Sequence, residues 1–152
     1  MDCDGVLTDG RLYFSERGEE MKVFHVRDGQ GIVSWHKAGF KSGIISGRGA
    51  AEIIQRRADE LGIDFVYVGS PDKIRDFEEI ILSLGIAAEN VAYVGDDIGD
   101  IELMKRVGFS VAVADAVEEA KAAATFVTKE KGGCGAVREV IDLLLSAERK
   151  LS

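Results

Sequence analysis

The stretch VAYVGDDIGD, residues 91–100, joins an apolar run to a cluster of acids. Its first half has the β-branched and apolar composition of a buried strand, and its second half carries Asp96, Asp97 and Asp100. In open α/β sheets, ligands bind beyond the carboxyl ends of the strands, which is where these acids follow. The stretch therefore predicts a parallel sheet with a polar ligand site at one edge.

Three more short apolar runs alternate with segments of helical periodicity along the chain. The runs are GIIS (43–46), FVYV (65–68) and FSVAV (109–113). Amphipathic helices are predicted over residues 50–61, 73–84, 100–107 and 137–145, with a further helix opened by a capping box at Asp115 and Glu118. This alternation predicts an α/β fold of the Rossmann-like type, a three-layer sandwich with a central parallel sheet.

Residues 11–26, RLYFSERGEEMKVFHV, interrupt this alternation with two strand-like runs around residues 15–18. They predict a protruding β-hairpin. Because open strand edges are usually covered by a partner, we expect a contact between subunits here. The alternative is a hairpin that packs only on its own domain.

The composition limits the classes of protein that the chain could represent. Its 152 residues suit one compact domain over residues 1–152, and a formal net charge of −8 argues against binding to nucleic acid or anionic membranes. Cys3 and Cys134 give no disulfide framework, and no window approaches the ~20 apolar residues of a membrane-spanning helix. A cytoplasmic location is the expectation.

The first residues, MDCDGVLTDG (1–10), bring further acids to the predicted site. The spacing of Asp2 and Asp4 lets both carboxylates point the same way from an extended chain. Crowded carboxylates repel one another unless a cation lies between them, and an all-oxygen ligand set suits Mg²⁺. Alone, the pair could be solvated turn residues. Together with the acids at 96–100, it predicts a metal site.

Cationic and hydroxyl groups at the ends of other strands predict an anion site. Ser70 and Pro71 are interpreted as the N-cap and first position of a helix, which puts Lys73 in the first turn, where the helix dipole disfavours a cation. A phosphate would compensate, held also by Ser46 and the backbone of the SGRG loop (46–49). A surface lysine and an ordinary loop are the alternatives.

These motifs resemble those of the haloacid dehalogenase superfamily. DCDGVLTDG is similar to its first motif, Ser46 and Lys73 take the places of the second and third, and GDDIGD is similar to the fourth. With the hairpin in place of a cap domain, and with VRDGQGI (26–32) and GGCGAVREV (132–140), the chain resembles the 3-deoxy-D-manno-octulosonate 8-phosphate phosphatase family over its whole length.

The resemblance implies a Mg²⁺-dependent phosphatase of lipopolysaccharide precursor synthesis that acts through an aspartyl phosphate. It implies that Asp2 is the nucleophile, that Asp4 is the general acid/base, and that Ser46 and Lys73 hold the phosphoryl group. The implied metal ligands are Asp2, Asp96 and the backbone carbonyl of Asp4, with Asp97 and Asp100 in the outer shell. The phosphorylated sugar acid would contact Arg27, Asp28, Gly29, Gly47, Arg48, and Arg56 or Arg57, because arginine pairs well with carboxylate.

Two alternatives to this function stay open from the sequence. One is a phosphatase of nine-carbon sugar-acid 9-phosphates, of the neuraminate or deaminoneuraminate type. The other, from a different class, is a receiver-like module in which an aspartyl phosphate persists as a signal, against which the acid Asp4 beside the nucleophile argues. The family resemblance also implies a homotetramer in which hairpins join and neighbouring subunits help close each site.

Two features depart from the family pattern. The superfamily nucleophile ordinarily ends a full hydrophobic strand, whereas here Met1 alone precedes Asp2. We therefore expect either that residues are missing before Met1 or that the central strand is unusually short. The glycine loop carries Cys134 where relatives often have a basic residue, which leaves Arg138 as the nearest cation.

Overall fold

A computed structural model describes residues 1–151, without the side chains of Glu19, Glu20 and Leu151. The predicted domain limit at Ser152 lies outside the described residues. The strands are β1 (Tyr13–Ser15), β2 (Gly18–Met21), β3 (Gly43–Ser46), β4 (Phe65–Val68), β5 (Ala92–Gly95), β6 (Phe109–Ala112) and β7 (Phe126–Val127). The helices are α1 (Val26–Lys37), α2 (Ala51–Leu61), α3 (Lys73–Leu84), α4 (Ile101–Met104), α5 (Glu118–Ala123) and α6 (Ala136–Leu151).

The parallel strands form two groups that the first two residues of the chain connect. β3 pairs with β4, and β5 pairs with β6, which pairs in turn with β7. The amide of Ile45 in β3 donates to the Met1 carbonyl over 3.0 Å, and the amide of Asp2 donates to Val94 of β5 over 3.0 Å. Met1 and Asp2 therefore lie between β3 and β5, in the position of a central strand.

The interior of the domain contains an apolar cavity. This cavity of about 390 Å³ lies beside Met1, lined mainly by apolar side chains of β3, β5, α1, α3 and α6. In the described structure the central strand is thus represented by two residues.

Helices cover both faces of the sheet. α1 contacts α2 and α6, while α4 contacts α3 and α5, so that two groups of helices enclose the strands. The fully buried apolar side chains include Ile32, Ile44, Ile54, Leu103 and Val111. Burial of each such side chain contributes about 1.5–3 kcal/mol to folding. The predicted three-layer α/β architecture is confirmed.

The hairpin and most of the parallel strands lie where the sequence predicts them. β1 pairs antiparallel with β2 and turns between Ser15 and Gly18. β3 and β4 have the predicted limits. β5 begins one residue later than predicted, β6 ends one residue earlier, and α2 ends at Leu61 as expected. β7 was not predicted, because two residues are too short to show a periodic pattern.

Three details of the helix predictions are wrong. The N-cap of α3 is Asp72, not Ser70, and its carboxylate accepts hydrogen bonds from the amides of Ile74 and Arg75 over 3.0 and 3.2 Å. An ionised aspartate at this position satisfies two helix-end amides at once, which explains its preference over serine. Lys73 keeps its predicted place in the first turn.

The other two differences concern α4 and α5. The predicted capping box at Asp115 does not form, because α5 begins at Glu118 and the Asp115 carboxylate accepts a 2.9 Å hydrogen bond from Gly132 instead. The helix predicted over 100–107 is a 3-10 turn (Ile98–Asp100) followed by the single turn of α4. None of the helices in the described part of the chain has the length and apolar character needed to cross a bilayer.

Candidate functional site

Acids from two parts of the sequence meet at the carboxyl edge of the sheet. Asp2 lies in the central-strand position and Asp96 follows β5. One carboxylate oxygen from each of Asp2, Asp96 and Asp100 lies within 4.8 Å of the other two. The close approach depends on Gly5, which has φ +88°, since a Cβ there would lie 2.0 Å from Oδ2 of Asp96. The predicted convergence of Asp2 and the 96–100 segment is therefore observed.

Asp100 is the most fully hydrogen-bonded member of the acid group. Its Oδ1 accepts from Nζ of Lys73 over 2.7 Å and from the hydroxyl of Tyr93 over 2.6 Å. Its Oδ2 accepts from the amides of Asp96 and Asp97 over 3.0 and 3.2 Å. Burial acts to raise the pKa of Asp100, but Lys73 and these hydrogen bonds outweigh it and lower that pKa. Asp100 is therefore an ionised anchor for the groups around it.

Lys73 links two of the acids. Its Nζ lies 2.7 Å from Asp100 and 3.1 Å from Oδ1 of Asp2. Burial disfavours the charged ammonium, but the two carboxylates outweigh it and raise the pKa of Lys73. A permanent positive charge at the start of α3 is thus held against Asp2, as the spacing of the motifs predicts.

The pKa values of the remaining two acids, Asp96 and Asp2, are raised. Burial, followed by the proximity of Asp2, Asp100 and Asp97, raises the pKa of Asp96 to about 8. Burial is also the main cause of the raised pKa of Asp2. Oδ1 of Asp96 and Oδ2 of Asp4 are buried without a hydrogen-bond partner among the described residues. An oxygen-rich, electron-rich group with unfilled acceptors fits a hard divalent cation such as Mg²⁺.

Two hydroxyl groups at the same edge also lack hydrogen-bond partners. Ser46, the last residue of β3, is buried, and its Oγ has no partner among the described residues. The same holds for Oγ of Ser70, whose backbone amide donates to the Ser46 carbonyl over 2.9 Å. Hydroxyl donors left unfilled beside Lys73 suit the oxygens of an anion.

Asp4 contacts a residue that sequence reasoning missed. Nζ of Lys22, just after β2, donates to Oδ1 of Asp4 in an ion pair. Sequence patterning predicts the opposite burial, with apolar residues inside and lysine outside. In the structure Met21 and Val23 are about half exposed, whereas Lys22 between them is buried. Tyr93 was missed as well, since the apolar run around it predicts only a strand.

Asp97 occupies a different position from the other acids. It is exposed, and its side chain caps the 3-10 turn by accepting from the amide of Ile98 over 2.7 Å. Its backbone, through the bond to Asp100, is part of the same turn. The sequence places Asp97 beside the metal site, and the structure adds a local capping role.

Asp28, which the family resemblance implies to be a substrate contact, is buried inside the fold. It belongs to α1, is 1% exposed, and accepts hydrogen bonds from the amides of Gly135 and Arg138 over 3.2 and 2.9 Å. Burial raises its pKa in spite of these bonds. The first amides of α6 have no partner within their own helix, so Asp28 caps that helix from 107 residues away in sequence.

Gly29 and Arg57, both predicted at the substrate, lie against each other. A Cβ on Gly29 would lie 2.4 Å from Nη2 of Arg57. The Arg57 guanidinium lies 5.7 Å from the ring centre of Phe24 and bonds Glu60 over 2.8 Å. The structure therefore places them at the contact of α1 with α2. The other predicted substrate residues are exposed: Arg27, Gly47, Arg48 and Arg56.

Comparisons with known proteins identify the family. Residues 65–141 match the model of the haloacid dehalogenase-like hydrolases. The chain is 48% identical over 151 residues to 3-deoxy-D-manno-octulosonate 8-phosphate phosphatase KdsC of Escherichia coli (strain K12), a match that covers 99% of this chain and 80% of that protein. The chain belongs to the 3-deoxy-D-manno-octulosonate 8-phosphate phosphatase family.

Solved structures from this phosphatase family have the same fold. The enzyme from Yersinia pestis is 47% identical, with a TM-score of 0.94 over 99% of this chain and 80% of that chain. The enzyme from Moraxella catarrhalis, solved in complex with a magnesium ion, a phosphate ion and a KDO molecule, is 38% identical, with a TM-score of 0.92 over 96% and 83%. The family resemblance drawn from the motifs is confirmed.

Proposed function

We propose that this protein hydrolyses 3-deoxy-D-manno-octulosonate 8-phosphate to the free sugar acid and phosphate. The observation that carries the proposal is the convergence of Asp2, Asp96 and Lys73 at one sheet edge, in a chain 48% identical to a phosphatase of that substrate. The reaction class is phosphoric monoester hydrolysis. The same proposal makes the product a precursor sugar of lipopolysaccharide. It also implies a cytoplasmic location for the protein.

The residues present fit a magnesium ion. Asp2, Asp96 and the backbone carbonyl of Asp4 would hold it, with Asp97 and Asp100 orienting the groups around it. The raised pKa of Asp96 and its unpartnered buried Oδ1 support this ligand set. When bound, Mg²⁺ supplies the positive charge that allows a carboxylate to approach a phosphate.

Asp2 is the proposed nucleophile. Its Oδ1 is oriented by Lys73, which also donates to Asp100, and Asp100 is held in turn by the hydroxyl of Tyr93. The other oxygen of Asp2 would attack phosphorus in line, forming an aspartyl phosphate as the sugar oxygen leaves. Asp4, two residues along, would give a proton to that oxygen and then take one from the water that hydrolyses the acyl phosphate.

The phosphoryl oxygens and the sugar acid need separate contacts. Ser46, whose hydroxyl is unpartnered and buried, and Lys73 would hold the phosphoryl oxygens. Arg27, Gly47 and Arg48 are exposed, and they are the proposed contacts of the sugar acid. Asp28, Gly29 and Arg57 would act from beneath, by fixing α6 and the α1–α2 contact that support the site loops.

We further propose that the chain works as a single domain in a homotetramer joined through the hairpin. In support, the hairpin exposes an unusual set of apolar side chains: Leu12, Tyr13, Phe14, Met21 and Val23. Clustered apolar residues at an open edge favour a covered interface. Light scattering of the protein at working concentration tests this; a fully active monomer would rule out the proposed closure of each site by a neighbouring subunit.

The substrate is tested by phosphate release from a panel of eight- and nine-carbon sugar-acid phosphates, with and without Mg²⁺. We expect the highest kcat/KM for the eight-carbon 8-phosphate and activity only with the metal. Asp2→Asn should lose turnover and keep the fold seen by circular dichroism. A preference for a nine-carbon substrate would replace the proposed substrate, and full activity of Asp2→Asn would exclude the nucleophile.

A further inference from the structure

Lys22 is a buried lysine that the proposed reaction does not yet use. Its side chain is 1% exposed, although it lies just after β2 in a hairpin whose neighbouring side chains, Met21 and Val23, point to solvent. Lysine is almost never buried without a partner, because removing an ammonium from water is costly. A strong local reason must therefore hold Lys22 inside.

The carboxylate of Asp4 is one such partner. Nζ of Lys22 donates to Oδ1, and the Asp4 side chain is itself only 12% exposed. Oδ2 of Asp4 is buried and has no hydrogen-bond partner among the described residues. The two oxygens of the Asp4 carboxylate thus differ: Oδ1 accepts from a charged donor, whereas Oδ2 can still accept a hydrogen bond or carry a proton.

The arrangement parallels the one around Asp2. Lys73 holds Oδ1 of Asp2 from the start of α3, and Lys22 holds Oδ1 of Asp4 from the end of the hairpin. Asp2 and Asp4 therefore each contact a lysine. An aspartate side chain that rotates freely would present its oxygens in many directions, and a charge-assisted bond in a buried place restricts this rotation.

We propose that Lys22 is a positioning residue for phosphoryl transfer: it holds one oxygen of Asp4 so that the other is presented to the leaving oxygen of the substrate. The inference rests on the proposed function, in which Asp4 protonates that oxygen. It also gives the hairpin a part in the reaction, since the end of β2 sets where Lys22 enters the site. Lys22 itself exchanges no proton with the substrate.

The test compares two phosphate esters that differ in their need for protonation. The sugar alkoxide of 3-deoxy-D-manno-octulosonate 8-phosphate needs a proton to leave, whereas p-nitrophenolate leaves without one. Because kcat/KM reports only the steps up to the first irreversible one, it isolates formation of the aspartyl phosphate. Lys22→Met should lower kcat/KM about tenfold to a hundredfold for the sugar ester and less than about threefold for p-nitrophenyl phosphate.

Two variants guard against a merely structural effect. Lys41→Met is the matched control, since Lys41 forms an exposed 2.7 Å pair with Asp64, and it should change neither substrate's kcat/KM. Lys22→Arg keeps the positive charge and should recover part of the loss with the sugar ester. An equal loss with both esters, or no loss with either, would overturn the proposal.

The Asp4→Asn variant separates the proposal from the function on which it rests. If Asp4→Asn loses activity selectively with the sugar ester while Lys22→Met does not, the role of Lys22 is wrong and the phosphatase mechanism stands. If the unaltered protein hydrolyses neither ester, the proposed function itself fails. Adding Lys22→Met to Asp4→Asn should cost nothing further, because the lysine acts through Asp4. A further loss in that double variant would mean that Lys22 contacts the substrate, which contradicts the proposal.

Discussion

The raised pKa of Asp96 predicts that magnesium binding depends steeply on pH. The pKa of this carboxyl is about 8, because burial and the neighbouring acids disfavour its charge. A ligand must lose its proton before it can bind the metal, so binding releases a proton wherever Asp96 is protonated beforehand. The sign is therefore fixed: affinity rises as pH rises and levels off above the pKa. The raised pKa of Asp2 acts in the same direction.

The size of the change in Mg²⁺ affinity depends on how far the pH lies below the pKa of Asp96. Each pH unit below about 8 lowers the apparent affinity for Mg²⁺ about tenfold, or ~1.4 kcal/mol. Between pH ~8 and pH ~6 we therefore expect a loss of about a hundredfold. Because Lys73 and its hydrogen bonds keep Asp100 ionised, that residue adds nothing to the pH dependence.

Isothermal titration calorimetry in buffers of different ionisation enthalpy measures both the affinity and the protons released. Asp96→Asn should bind the ion weakly and with a smaller dependence on pH, since the raised pKa of Asp2 remains. The exposed Asp142→Asn serves as the control and should behave like the unaltered protein. An affinity that stays constant from pH ~6 to pH ~8, with no proton released, would refute the reasoning that Asp96 is a ligand with a raised pKa.

Two predictions concern the supports beneath the site, and urea unfolding checks both. Gly133→Ala should lower the free energy of unfolding by at least about 2 kcal/mol, since φ is +64° and the new Cβ would lie 2.4 Å from the amide of Asp9. The control Gly99→Ala, whose Cβ would lie in open space, should cost less than about 1 kcal/mol. Equal effects of the two substitutions would contradict the steric argument. Asp28→Ala should cost about 2–4 kcal/mol, because it removes two hydrogen bonds that cap α6. The control Asp142→Ala removes an exposed ion pair and should cost about 0.5 kcal/mol or less. A similar loss in both variants would show that the caps contribute little.

Local periodicity predicted most of the fold. Apolar runs such as those at β3 and β4 are bounded by turn residues on both sides, so their limits follow from the sequence alone. The acids at Asp2 and Asp96 could be placed together because parallel strands end at one edge, and this topology does not depend on distant side chains. The helix-start signals at Ser70 and Pro71 placed Lys73 in the first turn of α3, although the N-cap itself is Asp72.

Features that depend on contacts between distant residues could not be predicted. Lys22 and Asp4 are 18 residues apart, and Asp28 and Gly135 are 107 apart, so no short window contains either pair. Where several capping residues lie close together, as in the segment before α3, the sequence does not say which one the backbone will use. The choice of Asp72 over Ser70 shows that tertiary placement decides between equivalent local signals.

The central claim is that Asp2 carries the phosphoryl group during turnover. Acid quenching of the Asp4→Asn variant during reaction with Mg²⁺ and p-nitrophenyl phosphate, followed by peptide mass spectrometry, tests it most directly. This ester needs no proton to form the acyl phosphate, whereas loss of the general base should slow hydrolysis of the acyl phosphate. The account predicts one phosphoryl group on Asp2, absent when Asp2→Asn is added. A phosphoryl group on another residue, or an Asp2 that stays unmodified while phosphate is released, would contradict it.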